Sequence, residues 1–105
     1  MSTVAQQLPG GIDLVVEDGV RVLRLRGEVD TLVVEAWQAG APAAAPDAVD
    51  LSAATFLDAR GLRLLVRETE PARRSGRVPE LRSPSRIVRR MVEIAGAAPL
   101  FAAVG

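Results

Sequence analysis

The stretch AVDLSAATFLDARGLRLLV, residues 48–66, decides the fold because it passes from a buried strand to an amphipathic helix. Val49 and Leu51 lie on one side of a segment with period two, which is typical of a strand that faces a core. The uncharged run 53–57 predicts a connection that is held against the core. Asp58 then predicts the helix start, because its carboxylate can accept backbone N–H groups two or three residues further on.

The helix after this cap is predicted from its spacing. Leu62, Leu65 and Val66 repeat at i, i+3 and i+4, and Gly76 is the C-terminal signal. Pro71 lies inside this span, where proline deletes a hydrogen bond and costs about 3 kcal/mol, so we expect a kink or a break into two pieces. The helix N-terminus offers unpaired N–H donors and the positive end of the helix dipole. It therefore suits an anion or a protein partner.

The composition excludes several kinds of site. The chain has 105 residues, enough for one domain, and 49% of them are hydrophobic, which favours a packed domain over disorder. The lack of Cys and His excludes disulfides, thiol catalysis, zinc sites of the common Cys/His type and the commonest general base. The chain has no Gly-rich phosphate loop of known spacing. We therefore expect no enzyme activity, no metal and no cofactor.

The formal net charge is zero, but the charge is distributed unevenly along the chain. Residues 1–58 hold three Arg and nine acidic residues, a balance of −6, and residues 59–105 hold ten Arg and four acidic residues, a balance of +6. The domain as a whole is not basic and no aromatic residues interleave the Arg, so the pattern predicts no nucleic-acid partner. Two solvated faces of opposite sign are favoured over a functional patch.

No targeting or membrane segment is predicted. Residues 1–8 lack the charged start and apolar run of a signal peptide. No segment approaches the roughly 20 apolar residues of a membrane span. We therefore expect a cytoplasmic protein with a flexible tail over residues 1–10 and a single domain over residues 11–105.

A hairpin is predicted near the start of the chain. Its strands cover residues 12–16 and 20–26, and the Asp-Gly pair at 18–19 favours a tight turn between them. In the second strand Leu23 and Leu25 alternate with arginines, so the leucine side is the predicted core face.

A helix is predicted directly after this hairpin. Residues 27–30 should end the second strand, and either Asp30 or Thr31 can cap a helix that runs through Trp37. Residues 40–46 contain two prolines and four alanines and are predicted to form a loop.

A strand and a helix follow the central stretch. Residues 78–82 are the strand, which Pro79 should place at an edge or give an irregular start. Ser83 and Pro84 predict a helix start, with serine as the cap and proline at the first helical position. Five apolar residues are predicted to form its buried stripe: Ile87, Val88, Met91, Ile94 and Ala95. Residues 100–104 are a candidate for a last short strand.

The order of elements defines the expected fold class. Strands separated by helices imply right-handed crossovers and parallel pairing, whereas the first hairpin is antiparallel. We expect an α/β fold with a small mixed sheet of four to five strands and three helices packed mainly on one face.

Three segments of the sequence, 23–30, 49–62 and 83–101, resemble in this order the STAS domain, and most closely the bacterial anti-sigma factor antagonists. The resemblance covers roughly residues 12–102. In that family the helix start carries Asp-Ser-Ser-Gly or a close variant, and the first Ser is phosphorylated by a partner anti-sigma factor that is also a kinase. The resemblance implies that the unphosphorylated protein binds this partner and frees the sigma factor, and that phosphorylation breaks the complex.

The resemblance also implies where a partner binds. Asp58 and Gly61 match the family motif, Ala59 occupies the position of the phosphorylated Ser, and Arg60 that of the second Ser. Because Ala59 has no hydroxyl, we expect no phosphorylation at this position. Six residues are predicted to form the partner-binding site: Asp30, Asp58, Ala59, Arg60, Gly61 and Leu62. Thr55 is the nearest substitute phosphorylation site, although nothing in the sequence singles it out.

Two functions follow from these expectations. The first is an anti-sigma factor antagonist that binds an anti-sigma factor of the serine-kinase type without the usual phosphorylation switch. The alternative is an accessory STAS subunit of a membrane transporter of the lipid-transport ATPase type, which fits the missing hydroxyl equally well. The residues indicate neither an oligomeric state nor a nucleotide site.

Overall fold

A mixed sheet of five strands, in the order β1-β2-β3-β4-β5, forms the centre of the molecule. A computed structural model describes residues 8–40 and 45–105. The strands are β1 (Gly10–Glu17), β2 (Val20–Val29), β3 (Ala48–Leu57), β4 (Glu80–Arg82) and β5 (Ala102–Val104), and the helices in these ranges are α1 (Thr31–Gly40), α2 (Ala59–Glu68), α3 (Glu70–Arg74) and α4 (Arg86–Ile94). The first pair of strands is antiparallel and the others are parallel, which confirms the predicted fold class.

The β1–β2 hairpin turns at Asp18 and Gly19, as predicted. Both residues have positive φ, 51° and 79°, which is the backbone that a two-residue hairpin turn requires. The strands are longer than predicted at the other end of the hairpin. β1 begins at Gly10, inside the predicted tail, and residues 1–7 of that tail lie outside the described residues.

Strand β2 ends within the predicted stop at residues 27–30, but it is three residues longer than the predicted strand 20–26, because it runs on to Val29. Gly27 adopts a φ of 65°, which lets the chain bend and continue. The N–H of Glu28 donates to the Pro9 carbonyl at 3.1 Å, so the residue before β1 still pairs with β2. Gly40, which was predicted to open the loop 40–46, is instead the last residue of α1, and residues 41–44 lie outside the described part.

Strand β3 includes the segment 53–57 that was predicted to be a connection, so that prediction is wrong. Asp50 lies opposite Arg24 while Ala53 lies opposite Arg26, which places one extra residue in β3 as a bulge. The Asp50 carboxylate accepts the Ser52 N–H at 2.9 Å and so satisfies a donor at the bulge. The strand can therefore bend without ending.

The helices cover one face of the sheet, and the core lies between them. Leu23 and Leu25 of β2 are buried there, as predicted, together with Val49 and Leu51 of β3 and Leu81 of β4. Each such aliphatic side chain contributes about 1.5–3 kcal/mol when it is fully buried.

The opposite face of the sheet carries a row of alternating charges. The strand register aligns Asp13, Arg24, Asp50 and Arg82 across β1 to β4. Partial burial raises the pKa of Asp50, but the hydrogen bonds from Ser52 and the two flanking guanidinium groups outweigh it and hold that pKa below its ordinary value. Asp50 therefore favours its charged form in the folded protein.

The predicted break at Pro71 is confirmed, since α2 ends at Glu68 and α3 begins at Glu70. Thr69 between them is fully buried, and its hydroxyl donates to the Leu65 carbonyl at 2.6 Å and accepts from the Arg73 guanidinium at 2.7 Å. The hydrogen bonds of Thr69 thus mark the end of α2, and the short helix α3 follows.

Helix α4 begins two residues later than predicted. Ser85, and not Ser83, is its cap, with the Ser85 hydroxyl accepting the Val88 N–H at 3.2 Å. Ser83 has a φ of 51° and donates its N–H to the Val104 carbonyl of β5 at 2.8 Å. That pairing with the neighbouring strand excludes Ser83 from the helix.

The predicted apolar stripe of α4 is only partly buried. Val88 and Val92 face the core, whereas Ile87 is 60% exposed and Ile94 is 74% exposed, and Ala95 is also exposed. The prediction that the whole stripe is core is therefore wrong. Two apolar rows lie side by side on this helix, and only one of them can face β3.

Strand β4 lies between β3 and β5, so the edge position considered for it is wrong. The irregular start is correct, because the strand begins only after Pro79, whose carbonyl accepts the Ala102 N–H at 3.0 Å. β5 forms the edge and starts two residues later than the predicted strand 100–104. In the described ranges no helix is long and apolar enough to cross a membrane.

Candidate protein-binding site

Two helix N-termini lie side by side where β2 and β3 end. Val29 and Leu57, the last residues of these parallel strands, are opposite each other in the register. Each strand is followed by an aspartate and then by a helix, and the Asp58 N–H donates to the Val29 carbonyl at 3.1 Å. The topology therefore brings Asp30 and Asp58 to the same edge of the sheet.

Both aspartates cap their helices, and the two caps are joined. Oδ1 of Asp30 accepts the Val33 N–H at 3.0 Å, and Oδ1 of Asp58 accepts the Gly61 N–H at 2.9 Å. The second oxygen of Asp58, Oδ2, accepts the hydroxyl of Thr31 at 3.3 Å. Each cap contributes about 1 kcal/mol. The hydrogen bond between the two helix starts fixes their relative positions.

The structure brings the six predicted site residues together, but at different depths. Ala59 is exposed, and Asp30, Asp58, Arg60 and Leu62 are half-buried. Their role in binding a partner stays a prediction.

Gly61 lies beneath this surface. It is buried, and a Cβ added there would lie 2.9 Å from the Val29 carbonyl oxygen. Only a residue without a side chain allows α2 to approach β2 this closely. Its place in the site is therefore to set the spacing of α2 and not to contact a partner directly.

Two exposed apolar side chains at the same edge were missed. Leu32 of α1 is 59% exposed and Phe56 of β3 is 42% exposed. Phe56 was interpreted as part of a covered connection, and Leu32 as part of a helix with no assigned outer face. In each case the neighbouring residue, Leu57 or Val33, is the buried one. Strict alternation does not separate Phe56 from Leu57, because the register shifts in β3 leave Leu51, Ala54 and Leu57 buried with two exposed residues between each.

We call the exposed and half-buried residues around the two helix starts the helix-start surface. It consists of Asp30, Leu32, Phe56, Asp58, Ala59, Arg60 and Leu62. It combines fixed carboxylates, exposed apolar groups and one guanidinium, which is a composition suited to recognising a protein. In the part of the chain that the structure describes, no group of three or more Cys, His, Asp or Glu could hold a metal ion.

The hydroxyl groups near this surface differ in their position. Thr55 is exposed on β3, where its side chain lies three residues before Asp58. Thr31 is at the first position of α1 and is bonded to Asp58. Neither occupies the first position of α2, where Ala59 stands.

A family model described as "Mlab, STAS domain" matches residues 12–101. Among solved structures, the anti-sigma factor antagonist SpoIIAA in its unphosphorylated form is 23% identical, with 90% of this chain and 88% of that chain covered and a TM-score of 0.68. An anti-sigma factor antagonist from Mycobacterium paratuberculosis is 27% identical, with 89% and 83% covered and a TM-score of 0.65. The Bacillus cell fate determinant SpoIIAA in its phosphorylated form is 22% identical, with 90% and 91% covered and a TM-score of 0.62. No curated protein matches the chain.

Proposed function

Because the chain belongs to the STAS-domain family, we propose that it is a regulatory protein-binding module that acts as an anti-sigma factor antagonist. It binds an anti-sigma factor of the serine-kinase type through the helix-start surface and performs no catalysis. The likeness to anti-sigma factor antagonists along nearly the whole chain supports this assignment. The proposal places the protein in the cytoplasm.

The observation that carries the proposal is the hydrogen bond between the two helix starts. A hydrogen bond of 3.3 Å between Thr31 and Asp58 joins the starts of α1 and α2, next to exposed Leu32, Phe56 and Ala59. Residues whose positions are fixed before binding lose less conformational freedom when the complex forms. The arrangement therefore favours binding.

Binding should persist in the presence of ATP, because Ala59 offers no hydroxyl to the partner kinase. A phosphoserine at a helix N-terminus would add about −1.5 to −2 charges to this surface. Without that group the complex has no covalent off-switch at this position. Release then depends on the concentrations of the two proteins.

The test is calorimetric titration with a candidate anti-sigma kinase, before and after incubation with ATP. We expect the same affinity in both cases and no gain of mass on this chain. The variants Phe56→Ser and Leu32→Ser should weaken binding about tenfold or more, as at a central interface contact. Val16→Ser is the matched control, since Val16 is 68% exposed on β1.

Three results would contradict the proposal. Phosphorylation of the chain by the kinase would exclude the hypothesis that the phosphorylation switch is missing. Equal binding by Phe56→Ser and Val16→Ser would exclude the helix-start surface. Failure to bind any anti-sigma kinase would exclude the function.

The second candidate is an accessory STAS subunit of a membrane transporter of the lipid-transport ATPase type. The observation that favours it is again Ala59, because a docking subunit needs a binding surface and no phosphorylated Ser. Affinity purification of the tagged chain from solubilised membranes separates the two. Recovery of a transporter ATPase supports the subunit, and recovery of a soluble anti-sigma kinase supports the antagonist.

A further inference from the structure

Helix α4 carries an apolar row of which only Met91 packs partly against the core. Ile87, Met91 and Ile94 repeat at i, i+4 and i+7 and so lie on one side of the helix. Ile87 and Ile94 are 60% and 74% exposed, and Met91 is half-buried. Val88 and Val92 on the adjacent side already attach α4 to the core.

A cavity of about 350 Å³ lies between α2 and the turn that follows α4. On the α2 side it is lined by Ala59, Leu62 and Val66, which share one side of that helix. On the other side it is lined by Ala95 and Ala97, whose small side chains leave the space open. The cavity is therefore a groove with an apolar floor that begins at the helix-start surface.

The exposed row of α4 continues the wall of this groove. At about 100° per residue, Met91 and Ala95 lie between the buried side of Val88 and Val92 and the exposed side of Ile94. Apolar side chains therefore extend from the floor of the cavity to the exposed side of α4. We use the name α2–α4 groove for the cavity lined by Ala59, Leu62, Val66, Ala95 and Ala97 together with the row Ile87, Met91 and Ile94, which helical spacing places beside Ala95.

One arginine lines the cavity, and helical spacing places two more beside the exposed row of α4. Arg63 of α2 lines it directly, and Arg90 and Arg86 of α4 follow the exposed row on its outer side. All three are exposed, and none of them makes an ion pair in the described ranges. Helices α2 and α4 together hold six Arg against two Glu, Glu68 and Glu93. The two helices therefore carry an excess of positive charge beside the groove.

We propose that the α2–α4 groove binds an amphipathic helix of the partner protein, with an apolar face and acidic flanks. An apolar row at i, i+4 and i+7 beside a concave floor matches the way a helix places its anchors in a groove. Acidic flanks complement the unpaired arginines, which a neutral or basic helix would not do. This inference rests on the proposed function, because the helix belongs to the same partner that contacts the helix-start surface.

The direct test uses two synthetic helical peptides of about 18 residues, long enough to cover α2 or α4. Both carry Leu at i, i+3, i+4 and i+7, one with Glu and the other with Lys at the flanking positions. We expect the Glu peptide to bind at least about tenfold more tightly at low salt and to lose this advantage as salt rises. NMR shifts of the bound protein should change most at Leu62, Met91 and Ala95.

Charge reversal and truncation sharpen the test. Arg63→Glu with Arg90→Glu should reverse the preference toward the Lys peptide, whereas Arg21→Glu, an exposed arginine on β2, should leave it unchanged. Ile94→Ser should weaken binding about tenfold, with Val16→Ser as its control. Equal affinity for the two peptides, or shifts confined to other surfaces, would overturn the proposal.

Two other occupants give different results. Self-association of the chain that Ile94→Ser abolishes, with no peptide binding, would assign the groove to a second copy and overturn the proposal. Binding to anionic phosphatidylserine vesicles that Ile94→Ser abolishes, again with no peptide binding, would assign it to a lipid surface.

Titration with the anti-sigma kinase separates this inference from the function on which it rests. Loss of binding in both Phe56→Ser and Ile94→Ser supports the proposed function and the role of the groove. Loss in Phe56→Ser alone overturns the groove and leaves the function standing. Selective binding of the Glu peptide with no binding of any anti-sigma kinase supports the groove and overturns the function.

Discussion

The helix-start surface and the α2–α4 groove are neighbours that share Ala59 and Leu62, but their side chains are held differently. On the helix-start surface both oxygens of Asp58 have donors, and Asp30 caps its own helix. The groove is lined by aliphatic side chains and bordered by arginines that have no ion pair in the described ranges.

This difference indicates what each surface contributes to binding. Groups fixed by hydrogen bonds add specificity, because a partner must match their positions. Aliphatic area and unpaired charge tolerate small changes in position and make binding sensitive to salt. Substitution of the hydrogen-bonded groups at the helix starts should therefore lower the stability of the fold, whereas substitution in the groove should lower mainly the affinity for a partner.

The largest effect is expected at Gly61. In Gly61→Ala the new Cβ would lie 2.9 Å from the Val29 carbonyl oxygen, so α2 must move away from β2. We expect a loss of about 1–3 kcal/mol in the free energy of unfolding, as for other overpacked sites. Urea unfolding measures it, with Gly40→Ala as the control because a Cβ at Gly40 meets nothing within 4 Å. Equal stability of the two variants would show that the contact between α2 and β2 is not tight.

The next largest loss of stability is expected at the cap of α2, and the cap of α4 serves for comparison. Asp58→Ala removes the cap of α2 and also leaves the Thr31 hydroxyl without its acceptor, so we expect a loss of about 1–2 kcal/mol. Ser85→Ala removes only the bond to Val88, at about 0.5–1 kcal/mol. In a double-mutant cycle, Thr31→Val should lose most of its effect once Asp58 is Ala. Additive losses would indicate that the two helix starts are not coupled.

For Ala59→Ser we expect a smaller change in stability, but the variant should become a substrate of the partner kinase. Because Ala59 is exposed, the free energy of unfolding should change by less than about 0.5 kcal/mol. The new hydroxyl should accept phosphate from the partner kinase and give a phosphorylated form that no longer binds it. Mass spectrometry after incubation with ATP measures the transfer. A partner that binds Ala59→Ser but never modifies it would show that Arg60 or another neighbour also prevents recognition by the kinase.

Local signals in the sequence predicted much of the fold. The cap at Asp58, the turn at residues 18–19 and the break at Pro71 each depend on a few adjacent residues, so their chemistry is visible without the tertiary structure. The bulge in β3 was not predicted, because it depends on the register with β2. Ser83 was mistaken for the cap of α4 because its bond to β5 joins segments that are distant in sequence.

The candidate site divides in the same way. The caps at Asp30 and Asp58 were predicted because each precedes an apolar helix, whereas their place in a binding site was implied by the resemblance to the STAS domain. Leu32 and Phe56 were missed because each lies beside a buried apolar residue, and only the packing decides which of two neighbours faces out. The exposed row at Ile87 and Ile94 was assigned to the core for the same reason.

The smallest effect is expected at Asp50, on the sheet face away from both surfaces. Its pKa in the folded protein is below the ordinary value of about 3.9, so its charged form stabilises the fold above that pH. This contribution should disappear as the pH falls from about 5 through the lowered folded pKa. Asp50→Asn should therefore flatten the dependence of the free energy of unfolding on pH in this range, measured by urea unfolding, whereas Asp18→Asn in the hairpin turn serves as the matched control. Affinity for the partner near neutral pH should be unchanged, because Asp50 contacts neither surface. A variant that keeps the full pH dependence would assign it to other carboxylates, and a variant that loses partner binding would extend the binding site to this face of the sheet.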